Sequence, residues 1–334
     1  MLLSARLFRH NTDILWFGQY ISSNMMWLKY GVARNGSLLT IEEVSSGKTD
    51  LLCPFCLSPL IAKKGKIKQH HFAHLGGQTC LRVKRGQIPS LPLYDNFHLQ
   101  LNAQHFQLVK QLWREYADSP HAIVYVPFAL QLKKLFERVE GGYRFTDLGK
   151  IPVGGLSLSS FNQVQEPMIV DRLTELTNSV AVASGINSVR LQEKLGDLKI
   201  YQLQIQRILQ LSLYFLEIKA DGQTFHKIGV TRRTMGERIP EIERDLKQHY
   251  RAISIFVLGT WKHRGNVELY FKHRYKDFNY KIGKLTEYFK FKDIERVKYD
   301  LEQMQPKILS DLAEIRFAAR ELTIYQSSAT PVLN

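Results

Sequence analysis

The stretch that decides the fold covers residues 213–291. It reads LYFLEIKADGQTFHKIGVTRRTMGERIPEIERDL over 213–246, AISIFVLGTW over 252–261, RGNVELYFKHRY over 264–275 and LTEYFKF over 285–291. Ala220-Asp221-Gly222 between two apolar runs predicts a hairpin, with strands over 211–218 and 225–230. A helix over 234–248 follows, then an apolar strand over 252–259, a helix over 266–277 and a short strand over 287–291. The tail over 293–322 reads as mostly helical, broken near Pro306. Short strands interleaved with helices predict an α/β domain over 211–292, its central antiparallel sheet flanked by helices.

Working outward, residues 188–210 form a connecting helix. Leu191, Leu195, Leu198, Ile205 and Leu209 follow alternating steps of four and three, with Gln202 in the missing place. Such a heptad-like stripe either packs within the chain or pairs with a second copy, making a homo-oligomer. The region 91–187 reads as mixed and mainly helical. It holds a helix over 94–116, a strand over 122–128, a short helix over 130–139 and a Gly-, Ser- and Pro-rich loop or hairpin over 141–166. Nearer the start, Asn35-Gly36 predicts a hairpin with strands over 27–33 and 37–44, because both turn residues tolerate positive φ. Residues 1–24 show no period and are expected to be a dispensable N-terminal extension. The tail 293–334 closes the chain. The class is α+β: a small β-rich zinc-knuckle module over 25–90, a helical middle and the C-terminal α/β domain.

Composition bounds the partners. The chain has 334 residues, 44% of them hydrophobic, enough for two or three cored domains. Its formal charge of +15 favours a polyanion such as DNA, because binding releases condensed counterions. The apolar residues at 14–17 are interrupted from Gly18 onward and are too few to span a bilayer, so a cytoplasmic protein is expected.

All three cysteines fall in CPFCLSPLIAKKGKIKQHHFAHLGGQTC, residues 53–80. An odd count beside histidines points to metal rather than to disulfides. Zinc takes four thiolate or imidazole ligands in a tetrahedron, and a CxxC pair followed by a second pair supplies them. Cys53, Cys56 and His74 are the favoured ligands, completed by either His71 or Cys80. His70 points away, as a neighbouring strand residue does. Between Leu51 and Ser90 there are seven Lys or Arg and no Asp or Glu. Lys63, Lys64, Lys66 and Lys68 are therefore candidate contacts to a phosphate backbone. With Trp27-Leu28-Lys29-Tyr30, Asn35 to Leu39, Cys53-Pro54-Phe55-Cys56 and His71-Phe72-Ala73-His74, this segment resembles the N-terminal domain of the competence-protein CoiA-like family. The resemblance implies a nucleic-acid-engaging module rather than a cutting one.

The C-terminal domain resembles the GIY-YIG nuclease family, in its phage-type subgroup. Leu213-Tyr214-Phe215 stands for the first motif, Lys227-Ile228-Gly229 for the second, Arg238 for the helix arginine, Glu268 for the metal-binding glutamate and Thr286-Glu287-Tyr288-Phe289 for the closing run. The resemblance implies a metal-dependent DNA endonuclease, acting on foreign or mobile DNA, with Tyr214, Lys227, Arg238 and Glu268 as catalytic residues. Glu268 would hold Mg²⁺ or Mn²⁺, hard cations that take oxygen ligands. Arg238 would offer its fork of donors to phosphate oxygens, Tyr214 would orient or activate water, and Lys227 would contact phosphate or act as a base. Gly229, Thr231, Arg232 and Lys272 are the expected substrate contacts. Lys272 lies one turn beyond Glu268, on the same helix face, whereas His273 points about 140° away. The alternative is a catalytically inactive nucleic-acid-binding protein on the same fold.

Overall fold

The computed structural model describes residues 27–65, 70–77, 89–94, 96–117, 119–186, 188, 190–262 and 267–304. The chain divides into two compact units, residues 1–88 and 89–334. Together they form a mixed α/β protein: a β-rich first unit, and a second unit in which helices surround a C-terminal antiparallel sheet. The expected extension over 1–24 and the tail beyond residue 304 lie outside the described residues.

The first unit is a five-stranded antiparallel sheet of β1 (Tyr30–Val32), β2 (Leu38–Thr40), β3 (Gly47–Leu52), β4 (Pro59–Lys63) and β5 (His71–His74), in the order β2-β1-β3-β4-β5. The first hairpin turns at Asn35-Gly36. Gly36 has φ 81° and the Asn35 side chain accepts from Ser37 N at 3.0 Å. Its second strand is shorter than the apolar run suggests. Glu43 reaches back to the Thr40 amide at 2.8 Å, and this capping box starts a 3-10 turn over Ile41–Glu43. Leu28, Val32, Leu38, Leu51, Leu60 and Phe72 are buried and form the core of this unit.

The second unit opens with an irregular stretch before α1 (Ala103–Tyr116). The helix starts nine residues later than its apolar stripe implies. Leu99 and Gln100 sit at positive φ, and Asn102 then caps the helix by accepting from His105 N at 2.8 Å. Around 122–145 the expected strand is reduced to one bridge, between Ile123 and Tyr143, and the expected helix is shorter and begins earlier: Pro127 starts α2 (Phe128–Leu132). Lys134, at φ 56°, ends the helical turn, and β6 (Phe136–Val139) pairs with β7 (Gly142–Phe145) where a helix was expected. The turn between them uses Gly141, at φ 78°. After α3 (Asp147–Lys150) comes a 28-residue helix, α4 (Leu158–Gly185), capped by Ser157. It starts inside the region expected to be loop.

Next, α5 (Leu191–Gln210) packs along α4. The C-terminal part of the expected stripe is used within the chain: Leu198, Ile205 and Leu209, joined by Tyr201, bury against Ile169 and Leu176. Gln204 Nε2 donates to Pro89 O at 2.8 Å, and Gln165 Nε2 donates to Pro92 O at 2.8 Å and to Leu93 O. Buried glutamines thereby satisfy carbonyls of an irregular segment that has no ladder of its own.

The C-terminal sheet is built from β8 (Ser212–Ala220), β9 (Gln223–Thr231), β10 (Ile253–Trp261) and β11 (Tyr288–Phe289), in the order β10-β8-β9-β11. Asp221 and Gly222, both at positive φ, close the β8–β9 hairpin. The β10–β8 ladder shifts register between Val257 and Gly259. Three helices join this sheet: α6 (Met235–Leu246), α7 (Val267–Arg274) and α8 (Ile294–Glu302). Leu213 and Phe215 pack with Phe161, Phe271 and Leu301 on one face. Tyr214, Leu216 and Ile218 pack with Ile242 and Leu246 on the other. Burial on both faces explains why β8 reads as a nearly continuous apolar run rather than an alternation. Asp300 ties α8 to its neighbours: it pairs with Arg274 at 3.0 Å and accepts from Tyr275 Oη at 2.8 Å and Leu158 N at 3.2 Å. Among the described residues, no helix is long and apolar enough to cross a membrane.

Candidate functional site

Two clusters bring chemistry-bearing residues together, one in each unit. In the first unit, the β3–β4 connection folds into a knuckle. Leu57 N donates to Cys53 O at 2.9 Å and Cys53 N to Ser58 O at 2.8 Å, with Leu57 at φ 57°. This points both thiols toward His74 at the end of β5. Cys56 Sγ lies 3.2 Å from His74 Nε2, and the ligand atoms of Cys53, Cys56 and His74 all fall within 4.8 Å of one another. Tetrahedral zinc with bonds of about 2.0–2.3 Å puts its ligands roughly 3.3–3.8 Å apart, so this trio can hold such an ion. Cys53 and His74 are buried and Cys56 is exposed.

His71 is not part of this group. It sits three residues from His74 on the same strand, which places it on the opposite face. Its ring packs against Trp27, with centroids 4.2 Å apart. Cys80, the other expected fourth ligand, lies outside the described residues, as do Lys66 and Lys68. Lys63 is exposed at the end of β4. Lys64 turns to Glu42, donating to its carbonyl at 3.4 Å and approaching its carboxylate at 3.8 Å. His70 Nδ1 meets the same carboxylate at 3.2 Å. An acid from outside the basic stretch therefore offsets part of its charge.

In the second unit, Tyr214, Lys227, Arg238 and Glu268 fall into two hydrogen-bonded groups within electrostatic reach of each other, one joining Tyr214 to Arg238 and the other joining Lys227 to Glu268 through Glu287 and Lys272. Tyr214 on β8 stands opposite Gly229 on β9. A Cβ at position 229 would lie 2.3 Å from the Tyr214 hydroxyl, so the glycine is the space the phenol occupies. Lys227, two residues before Gly229, projects from the same face of β9. Thr234 caps α6 with a capping box to Glu237, and one turn in, Arg238 Nε donates to Tyr214 Oη at 3.4 Å. On α7, Lys272 Nζ donates to Glu268 Oε1 at 2.6 Å. It also donates to Glu287 Oε1 at 3.2 Å, while Lys227 Nζ donates to Glu287 Oε2 at 2.6 Å. Thr231 Oγ1 accepts from Arg233 N at 3.0 Å at the end of β9, and Arg232 beside it is exposed.

Two members of the cluster were not among the expected site residues. Glu287 joins the lysines; its signal is the register of β11, which pairs Tyr288 with Lys227 and so brings the preceding glutamate alongside. Glu241 holds Arg238 Nη1 at 2.6 Å and also pairs with Arg233. One helical turn separates Arg238 from Glu241, a spacing visible in the sequence. His273 is turned away, as its helical angle requires: its Nε2 meets the carbonyls of Ile151 and Pro152, and its ring stacks on Phe97.

The electrostatics follow from burial and pairing. Burial raises the Tyr214 phenol above the tyrosine range, and Arg238 works against that rise. Burial pushes the Glu287 carboxyl up, but Lys227 and Lys272 outweigh it and bring it down to about 2. Lys272 is raised: burial pulls it down, and Glu268 and Glu287 together more than compensate. Glu268 offers the one carboxylate that Mg²⁺ minimally needs, since that ion keeps several waters. The Lys272 ammonium is a competing cation on the same oxygen. Among the described residues, the trio of Cys53, Cys56 and His74 is the group with three or more metal-ligating side chains in mutual reach.

The family model for the competence protein CoiA, N-terminal domain, matches residues 38–82, a span that contains the cysteine–histidine trio. No curated protein and no solved structure matches the chain.

Proposed function

We propose that this chain is a metal-dependent DNA endonuclease of the cytoplasm, with a zinc-clipped N-terminal module that engages nucleic acid and a GIY-YIG-like C-terminal domain that cuts. One observation supports the cutting role above others. Tyr214, Lys227, Arg238 and Glu268, drawn from two strands and two helices, lie in two hydrogen-bonded groups within electrostatic reach of each other. In the proposed reaction water attacks phosphorus, the bond to one sugar oxygen breaks, and the phosphate gains charge on the way. Arg238, its side chain 26% exposed, donates to the phosphate oxygens, and the Lys227 and Lys272 ammonium groups add positive field. The Tyr214 hydroxyl, already bonded to Arg238, orients the attacking water. Glu268 would hold the divalent ion, which would supply Lewis-acid polarisation of the phosphate.

A second reading is a nucleic-acid-binding protein that does not cut. It is favoured by the burial of Tyr214, which is 1% exposed. Incubating purified protein with single- and double-stranded DNA, with Mg²⁺ or with chelator, separates the two. The endonuclease reading expects metal-dependent products, falling at least about 100-fold in Arg238→Ala, the loss typical of one transition-state donor. It also expects loss in Glu268→Ala. Salt-sensitive binding without products in any metal would establish the second reading.

A further inference from the structure

The two lysines of the cluster are not equally provided for. Lys272 has two carboxylates, Glu268 at 2.6 Å and Glu287 at 3.2 Å. Lys227 has one among the described residues, Glu287 at 2.6 Å. Its side chain is only 5% exposed, and its ammonium lies 4.5 Å from the centre of the Tyr288 ring, which offers a weak π contact. The groups that face it are Glu287 and Tyr288 at β11, Lys272 on α7 and Arg238 on α6. Leu216 stands opposite it on β8. Two of these groups are cations, and both disfavour a third positive charge. A buried ammonium between two cations keeps its proton only with a carboxylate in direct contact.

We infer that Glu287 is a positioning residue that holds Lys227 in its charged, phosphate-binding form and ties it to Lys272. The part that concerns phosphate rests on the endonuclease reading; the part that concerns Lys227 does not. The geometry carries the argument, since one carboxylate places an oxygen on each ammonium. The electrostatics agree: burial draws the Lys227 ammonium below the lysine range and Glu287 opposes that loss. Glu287 itself, its side chain 45% exposed, sits half-buried at the rim of the cluster and keeps the access to solvent that Lys227 lacks.

The asymmetry provides the test. In the full chain with ¹⁵N-labelled lysine, the Nζ signals of Lys227 and Lys272 are followed against pH, assigned through Lys227→Arg and Lys272→Arg. In the wild type both are cationic at pH 7. In Glu287→Gln the Lys227 midpoint falls by about two pH units, the usual reach of a contacting opposite charge. Lys272, still held by Glu268, moves much less. Glu287→Asp restores Lys227 in part. A neutral Lys227 at pH 7 in the wild type would overturn the inference whether or not the variants fold, and so would a Lys227 midpoint unchanged in Glu287→Gln. The pH profile of DNA cleavage gives the second readout. Glu287→Gln moves the alkaline limb of that profile to lower pH, by the same shift as the Lys227 midpoint. Equal loss at every pH counts against Glu287. If the wild type cuts no DNA, the endonuclease reading fails and the lysine titration alone decides the role of Glu287.

Discussion

The two units hold themselves together by different means. The first sheet has a modest core, and its cysteine–histidine trio sits where β3, β4 and β5 meet. The second has helices against both faces of its C-terminal sheet and a part-buried ion pair, Arg274–Asp300, that links α7 to α8. A small sheet with few buried residues gains most from a metal clip, whereas a larger one can do without. Metal should therefore govern the folding of one unit and leave the other standing.

The largest effect expected follows from that contrast. Chelation, or Cys53→Ser, should unfold the first unit, because the binding energy of a structural zinc is folding energy. The second unit should keep its helical circular dichroism. Metal analysis should find one zinc per chain, and limited proteolysis should then cut only before residue 89. Loss of both units together would break the comparison. Next comes Asp300→Ala, which leaves Arg274 without its carboxylate and removes the acceptors for Tyr275 Oη and Leu158 N. Breaking one side of such a pair costs about 3–5 kcal/mol, read as a lower denaturant midpoint for the second unit alone.

A third test uses acid. Burial lowers the His273 imidazole to about 4 from its ordinary 6.5, with Lys276 and His98 adding to the effect. The folded unit keeps this ring neutral while the unfolded chain takes up a proton below pH 6.5. Stability is therefore lost as pH falls from 6.5 toward 4, by on the order of 3 kcal/mol, and the loss levels off below. His273→Gln should flatten that slope in the second unit. The smallest effect expected is from Gly229→Ala, whose Cβ would collide with the Tyr214 ring. Overpacking of this kind costs about 1–3 kcal/mol. Pairing it with Tyr214→Leu should recover most of the thermal stability, which would locate the strain at that one contact.

The same contrast runs through what could be read from the residues alone. The hairpin at Asp221-Gly222 was legible because the turn chemistry and both apolar runs agree. The grouping of Tyr214, Lys227, Arg238 and Glu268 was expected from the family resemblance, and strand parity by itself places only Tyr214 and Lys227, on one face of the hairpin. The register that makes Glu287 a partner of Lys227 was not legible, because it depends on a pairing 60 residues away. Helix α4 is hidden in the sequence for a physical reason. Its buried stripe carries Asn162, Gln165 and Glu166, and a polar residue on a buried face reads as a surface. Gln165 is accommodated there by the carbonyls of Pro92 and Leu93. The hairpin β6–β7 misleads in another way: Phe136 and Val139 are three apart, a spacing that matches one face of a helix and that a strand places on opposite faces. His71 lies an odd number of steps from His74, so strand parity by itself separates the two across the sheet.

The shift in register on β10 has a bearing on solubility. Among the described residues this strand is the outer margin of its sheet, nine residues long, with Phe256 and Val257 about half exposed. A flat margin of that length would invite a foreign chain to dock backbone to backbone. The misstep after Val257 interrupts the row of amides and carbonyls midway, and the Lys219 ammonium hovers 5.2 Å above the Phe256 ring. An intruding strand could match only half of the margin and would meet a charge there, so the irregularity protects a concentrated solution of this protein from self-adhesion.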